Sequence, residues 1–267
     1  MKRSLSNLLL GAIVLLLIGL YWLRLGGDAN ETLRSALYAG IPWVAVGSVG
    51  AALLAYGRGT LRPTLACLAL ALLSYAVAEG LWVWYQSVLH VDPFPSLADL
   101  FYMLAYPLFF AAIVSAIWRA RVNWKRIHSA TRFLLVVVAA LVAFLVAYFG
   151  IYRGYHPELS TIANVVSIGY SGADLVLLIL CLAVLVLAWE YRGGRLMEFW
   201  LLLFAAFSLT LMADIGFSIE NAPYIAGDVL TVNVLDSLWI LSYLSYAIAA
   251  QRMLAYIHAA QRKLAVT

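Results

Sequence analysis

Five carboxylic acids stand inside or at the ends of apolar segments of this chain: Glu79, Asp99, Asp174, Asp214 and Asp236. An acid within a bilayer costs ~2.5–3.5 kcal/mol on insertion scales, so each should face the interior of a helix bundle and find partners there. The nearby candidates are hydroxyl and indole donors, among them Trp82, Tyr102, Tyr106, Tyr170, Trp239 and Tyr243. Two kinds of chemistry fit such a set. An acidic and aromatic cavity can hold a small cationic or aromatic ligand through carboxylate charge and ring faces. Protonation of the acids is a second route, to a signal or a proton path. The competing reading is architectural: Asp99 and Asp236 cap helix N-termini, and Glu79, Asp174 and Asp214 are hydrogen-bonded bolts between helices. Some of the rings would then be ordinary interface belt. Both readings stay open at this level.

Other chemistries drop out. No lysine lies inside an apolar segment, which removes a retinal-type Schiff base. His90, His128, His156 and His258 fall in loops or the tail, which removes a bis-histidine haem. No P-loop, HExxH or GxSxG occurs. Cys67 and Cys181 have no CxxC or Cys/His neighbourhood and read as small packing residues. His90, Asp92, His156 and Glu158 could in principle hold a metal, but read as solvated loop residues. The expectation is therefore a protein that is not an enzyme, with no catalytic residue, metal or cofactor.

The elements that must position the acids follow from composition. Of 267 residues, 65% are hydrophobic and 11% charged, against roughly 25% charged in a soluble domain. This predicts an all-α integral membrane protein whose partner is the lipid bilayer. The net charge of +4 sits in short loops between apolar runs, where it orients the chain and does not suggest nucleic acid. With ~20 residues needed to cross ~30 Å of hydrocarbon, eight transmembrane helices are predicted, at 7–25, 35–56, 64–88, 98–118, 131–152, 161–189, 197–219 and 232–250. Residues 251–267 read as a short basic amphipathic helix. Fourteen Lys and Arg fall on the side of the N-terminus and three (Arg24, Arg34, Arg153) opposite, so both termini are predicted to be cytoplasmic. No GxxxG on an apolar face argues for a dimer.

One stretch, Asp92–Pro107 (DPFPSLADLFYMLAYP), organises the rest. Pro93 and Pro95 forbid helix before it, Ser96 can cap, and Asp99 stands where a carboxylate meets free backbone N–H groups. A weaker copy, DSLWILSY, runs from Asp236 to Tyr243, with an acid and a tyrosine seven apart in both. Glu79 matches Asp214, and Tyr38-Ala-Gly matches Tyr170-Ser-Gly. The offsets are 137, 135 and 132 residues. Near-constant offsets predict an internal duplication, 1–126 and 127–267, as a parallel 4+4 arrangement.

Pro93 to Phe110 (PFPSLADLFYMLAYPLFF) resembles the multi-helix membrane sensor region found N-terminal to diguanylate cyclase (GGDEF), EAL and histidine-kinase modules in bacteria and archaea. Its P-S-x-A-D-x-x-Y-x-x-x-Y-P-L stretch corresponds to Pro95–Leu108. Its second stretch corresponds to Tyr170–Leu178, with Ser171 where proline is usual, and its third to Asp236–Trp239. The resemblance spans about residues 62–252 and implies a membrane input domain in a prokaryotic cell (inner) membrane. No output module follows the eighth helix within the chain, so the catalytic output does not carry over. The expectation is a stand-alone sensory or ligand-binding module relaying to a separate signalling partner. The alternatives are a small-molecule or proton-coupled transporter, a lipid-directed enzyme using Glu79 or Asp214, or a structural scaffold.

Overall fold

The computed structural model describes residues 2–23, 28–119, 128–190 and 196–264. Among these residues every element is helical. The helices are α1 (Lys2–Trp22), α2 (Asp28–Tyr56), α3 (Arg62–Trp84), α4 (Leu97–Arg119), α5 (Ser129–Leu145), α6 (Thr161–Glu190), α7 (Leu196–Ile219), a short α8 (Asn221–Ile225) and α9 (Val229–Leu264). Wider π-helical turns extend α3 over Tyr85–Leu89 and α5 over Val146–Tyr152.

Among the described residues, seven helical segments are long and apolar enough to cross a membrane: Thr32–Tyr56, Arg62–Leu89, Leu97–Arg119, Ser129–Tyr152, Thr161–Val186, Met197–Ile219 and Val229–Gln261. The chain is a multi-pass membrane protein. Of the expected first span, the apolar part with described side chains is Gly11–Trp22, shorter than a full crossing. The basic loops at 120–127 and 191–195 lie outside the described residues. The expected tail helix continues the last span: α9 runs unbroken to Leu264, buries Met253 and Ile257, and Gln261 Nε2 donates to the Ala55 carbonyl at the end of α2 (3.1 Å).

Six helices close a ring in the order α2, α3, α4, α6, α7, α9, with α9 returning to α2. α1 lies outside the ring against α9, and α5 lies outside it with 11% of its span buried. Small residues let the backbones approach: Ala45, Val49 and Ala52 of α2 and Ala247, Ala249 and Ala250 of α9 are buried. Hydroxyls bolt neighbours together. Thr64 pairs with Ser115 (2.7 Å) and Ser74 donates to the Phe101 carbonyl (2.7 Å) between α3 and α4. Thr210 pairs with Ser242 (2.8 Å) between α7 and α9, and Ser167 with Ser218 (2.8 Å) between α6 and α7.

The start of α4 is built as its sequence predicts. The Ala98 N–H donates to Ser96 Oγ (3.1 Å), and the Ser96 N–H donates to Asp99 Oδ2 (2.6 Å), a reciprocal capping box. The start of α9 decides against the capping reading of Asp236. Asp228, not Asp236, takes the Thr231 N–H (2.9 Å) and hydroxyl (2.8 Å). Asp236 lies two turns inside the helix, where it is buried and faces the interior.

Where α5 ends, the chain turns under α7. A Cβ on Gly154 would stand 2.7 Å from the Gly150 carbonyl oxygen and 2.8 Å from Ser218 Cβ, both on constrained backbone. Gly154→Ala is expected to destabilise the protein by about 1–3 kcal/mol, the usual range for overpacking, measurable as a lower midpoint of unfolding in detergent.

Candidate functional site

Inside the ring the acids and rings meet. Glu79 of α3 accepts the Tyr243 hydroxyl from α9 (2.5 Å). Asp214 of α7 accepts the Tyr106 hydroxyl from α4 (3.1 Å) and the Trp239 indole N–H from α9 (2.8 Å). Asp99 of α4 keeps its second oxygen, Oδ1, for the Tyr170 hydroxyl from α6 (2.5 Å). Asp236 of α9 accepts hydroxyls from Tyr21 of α1 and from Tyr224 of α8 (2.7 Å for the latter). Each of these four carboxyls thus receives a tyrosine hydroxyl from the other side of residue 126. Asp174 of α6 lies beside Asp214 and Tyr106. Glu79, Asp99, Asp174 and Asp236 are only 1–5% exposed.

Not every oxygen is satisfied. Glu79 Oε2 and Asp174 Oδ2 are buried with no hydrogen-bond partner, as is the Tyr246 hydroxyl. Tyr38 and Tyr102 crowd the Glu79 carboxyl. The rings interlock by edge-to-face contacts. Tyr75 meets Tyr102 (5.7 Å between centroids), Phe109 (5.2 Å) and Tyr243 (6.1 Å), and Trp82 meets Phe217 (5.9 Å).

These side chains line a cavity of about 50 Å³. Of the residues singled out from sequence, Glu79, Trp82, Asp99, Tyr102, Tyr106, Tyr170, Asp214, Trp239 and Tyr243 all face it. Asp174 and Asp236 do not. Asp236 faces instead a larger groove of about 750 Å³, which also meets Tyr21, Arg34, Gln86 and His90. Tyr38, Trp82 and Tyr224 line both spaces, so their rings form the partition between them.

Several residues of the site escape a sequence reading. Arg34 enters the sequence argument only as a charge that orients the chain. In the fold it is buried, its Nε donates to the Tyr21 carbonyl (3.1 Å), and a terminal nitrogen donates to Asn233 Oδ1 (2.8 Å). Its guanidinium lies 4.6 Å from the Tyr21 ring centroid. Tyr21, Tyr224 and Phe217 likewise come from segments without a motif; the one available signal is an aromatic at a helix end. Three of the four loop candidates for a metal, Asp92, His156 and Glu158, have other partners. Asp92 accepts the Phe94 N–H (2.9 Å), and the His156 ring pairs with Glu158 (3.0 Å) and the Ser218 carbonyl (2.8 Å). Its own backbone N–H, then His156, hold the Glu158 carboxyl below its usual range. Among the described residues no three His, Cys, Asp or Glu side chains are placed to share a metal ion.

No family model, curated protein or solved structure matches this chain. The site must be read from its own geometry.

That geometry makes the Tyr170–Asp99 bond a testable link between α6 and α4. Hydrogen bonds between membrane helices average about 0.6 kcal/mol with a maximum near 1.7. A double-mutant cycle of Tyr170→Phe and Asp99→Asn, read by unfolding in detergent, is expected to give a coupling energy in that range.

Proposed function

We propose that the protein is a membrane sensory or ligand-binding module, not a catalyst. In this reading eight helices form two duplicated four-helix halves, with both termini in the cytoplasm of a prokaryotic cell and the acidic-aromatic chamber open toward the outside. The observation that carries it is the set of tyrosine-to-carboxyl bonds between residues on either side of residue 126, beside a chamber lined by Glu79 with its unpaired Oε2. Whatever engages that carboxyl competes with the Tyr243 bond to it.

The packing order favours the duplication. If α2, α3 and α4 correspond to α6, α7 and α9, the neighbours α2–α3 and α3–α4 have counterparts in α6–α7 and α7–α9. The junctions between halves, α2–α9 and α4–α6, correspond as well. The bonds Tyr243–Glu79 and Tyr106–Asp214 are then one bond seen from either half. α9 suits the output role. It carries Asp236, Trp239 and Tyr243 and continues as one helix to Leu264, so a change at the chamber is transmitted along a rigid rod to a signalling partner. The similarity to membrane input domains, carried by Pro95–Leu108, agrees with this assignment.

Native mass spectrometry of the detergent-purified protein tests it. The expected result is a bound small molecule on the wild type, lost in Glu79→Gln and in Tyr106→Phe. Bare protein in all three samples overturns the binding reading and leaves the acids as bolts in a scaffold.

A second reading, proton-coupled transport, is favoured by Asp174 standing beside Asp214 with one oxygen unpaired. Two adjacent buried carboxyls are a natural place to hold and release a proton. It predicts proton-driven flux in proteoliposomes that Asp174→Asn abolishes. Flux that is absent, or equal in the variant, removes this reading.

A further inference from the structure

Three features of the chamber bear on what it holds. Its carboxyls, Glu79, Asp99 and Asp214, are accompanied by no lysine, arginine or histidine among the lining residues. Glu79, 1% exposed, presents an oxygen with no hydrogen-bond partner. Apart from Thr210, the remaining wall is aromatic, from rings such as Tyr75, Tyr102 and Trp239. An uncompensated carboxylate oxygen calls for a cation or a proton. Metal ions are poorly served: hard cations take six or more oxygen ligands, and among the described residues no metal-type cluster of acids and histidines exists. An alkylammonium ion fits the same surroundings. Its N–H groups can reach Glu79, and its methyl groups carry positive charge onto ring faces. Size narrows the class. Drug-sized ligands occupy roughly 300 Å³ or more, whereas this space is about 50 Å³.

We propose that the chamber binds a small organic ammonium ion, anchored by Glu79 Oε2 and enclosed by the aromatic wall. The ion reaches it from the 750 Å³ groove across the partition of Tyr38, Trp82 and Tyr224. The groove brings Asp236 and tyrosine rings to the partition, with Arg34, held by the Tyr21 carbonyl and Asn233, also on its wall. This assignment rests on the binding-module reading and narrows it to one ligand chemistry.

Saturation-transfer NMR on the full-length protein in detergent tests it, with methylammonium chloride as probe and methanol as its neutral counterpart at matched ionic strength. Irradiation of aromatic protons is expected to transfer saturation to the methylammonium methyl group, saturably, and not to methanol. In Glu79→Gln the affinity is expected to fall at least tenfold, and in Cys67→Ala, at a half-buried cysteine remote from the lining, to stay as in the wild type. Equal transfer to methanol, no transfer to methylammonium, or an unchanged Glu79→Gln variant overturns the proposal. The comparison of methylammonium with methanol uses the native protein alone, so it decides the matter even where Glu79→Gln does not fold. A co-purified neutral or anionic species in the mass spectrum, with no methylammonium binding, overturns the ammonium assignment while the binding module stands. Bare protein together with no methylammonium binding overturns both.

Discussion

A carboxyl group taken out of water must be given donors or lose its charge, because the surrounding hydrocarbon offers neither. This protein meets that demand for four acids with tyrosine hydroxyls drawn from distant parts of the chain: Tyr243 to Glu79, Tyr106 to Asp214, Tyr170 to Asp99, and Tyr21 with Tyr224 to Asp236. Much else follows from the demand. The acids must face one another's helices, so the six-helix ring closes around them. The backbones must come near enough for a tyrosine to reach across, so the contacts carry alanine, glycine and small hydroxyls. Lipid cannot drive helices together by hydrophobic burial as water can, which gives these polar bonds and the close packing a larger share of the organising role.

What a sequence reading finds here depends on how local the governing interaction is. The capping box at Ser96 and Asp99 closes over three residues, and residue types alone specify it. The same carboxylate has a second oxygen, so Asp99 is both a cap and a chamber residue, and its two readings are compatible. The second candidate cap is different. DSLWILSY has the look of a helix start, but VLTVN before it, rich in β-branched residues, is already helical because Asp228 caps further upstream. Tertiary packing overrides local propensity there. The apolar runs likewise mark the spans, because period and length are local properties, and the acids mark themselves as interior because an acid against lipid is costly.

Partner choice is not local, and that is where residue patterns stop. Nothing in the spacing of Tyr21 says that it donates to an acid 215 residues away. Nothing distinguishes Arg34 from a topology-setting loop charge until its carbonyl and amide acceptors are in view. The offset matching is also a non-local device, setting Glu79 against Asp214 and Tyr106 against Tyr243 by spacing alone. Those four residues turn out to be joined by two reciprocal bonds.

The reciprocity has a limit that carries functional weight. Under the same correspondence, the partner of Asp99 is Tyr170, so the partner of Asp236 should be Tyr38. Asp236 instead takes Tyr21 from α1 and Tyr224 from α8. Tyr38 is left to stand in the partition beside Trp82 and Tyr224, between the inner chamber and the groove. A duplicated bundle with equal halves would be closed by equal bonds at both ends. Here the acid at that end is held by α1 and by a short turn of helix, neither of which belongs to the six-helix ring. The departure from this correspondence falls on the side of the bundle where Asp236 lines the groove.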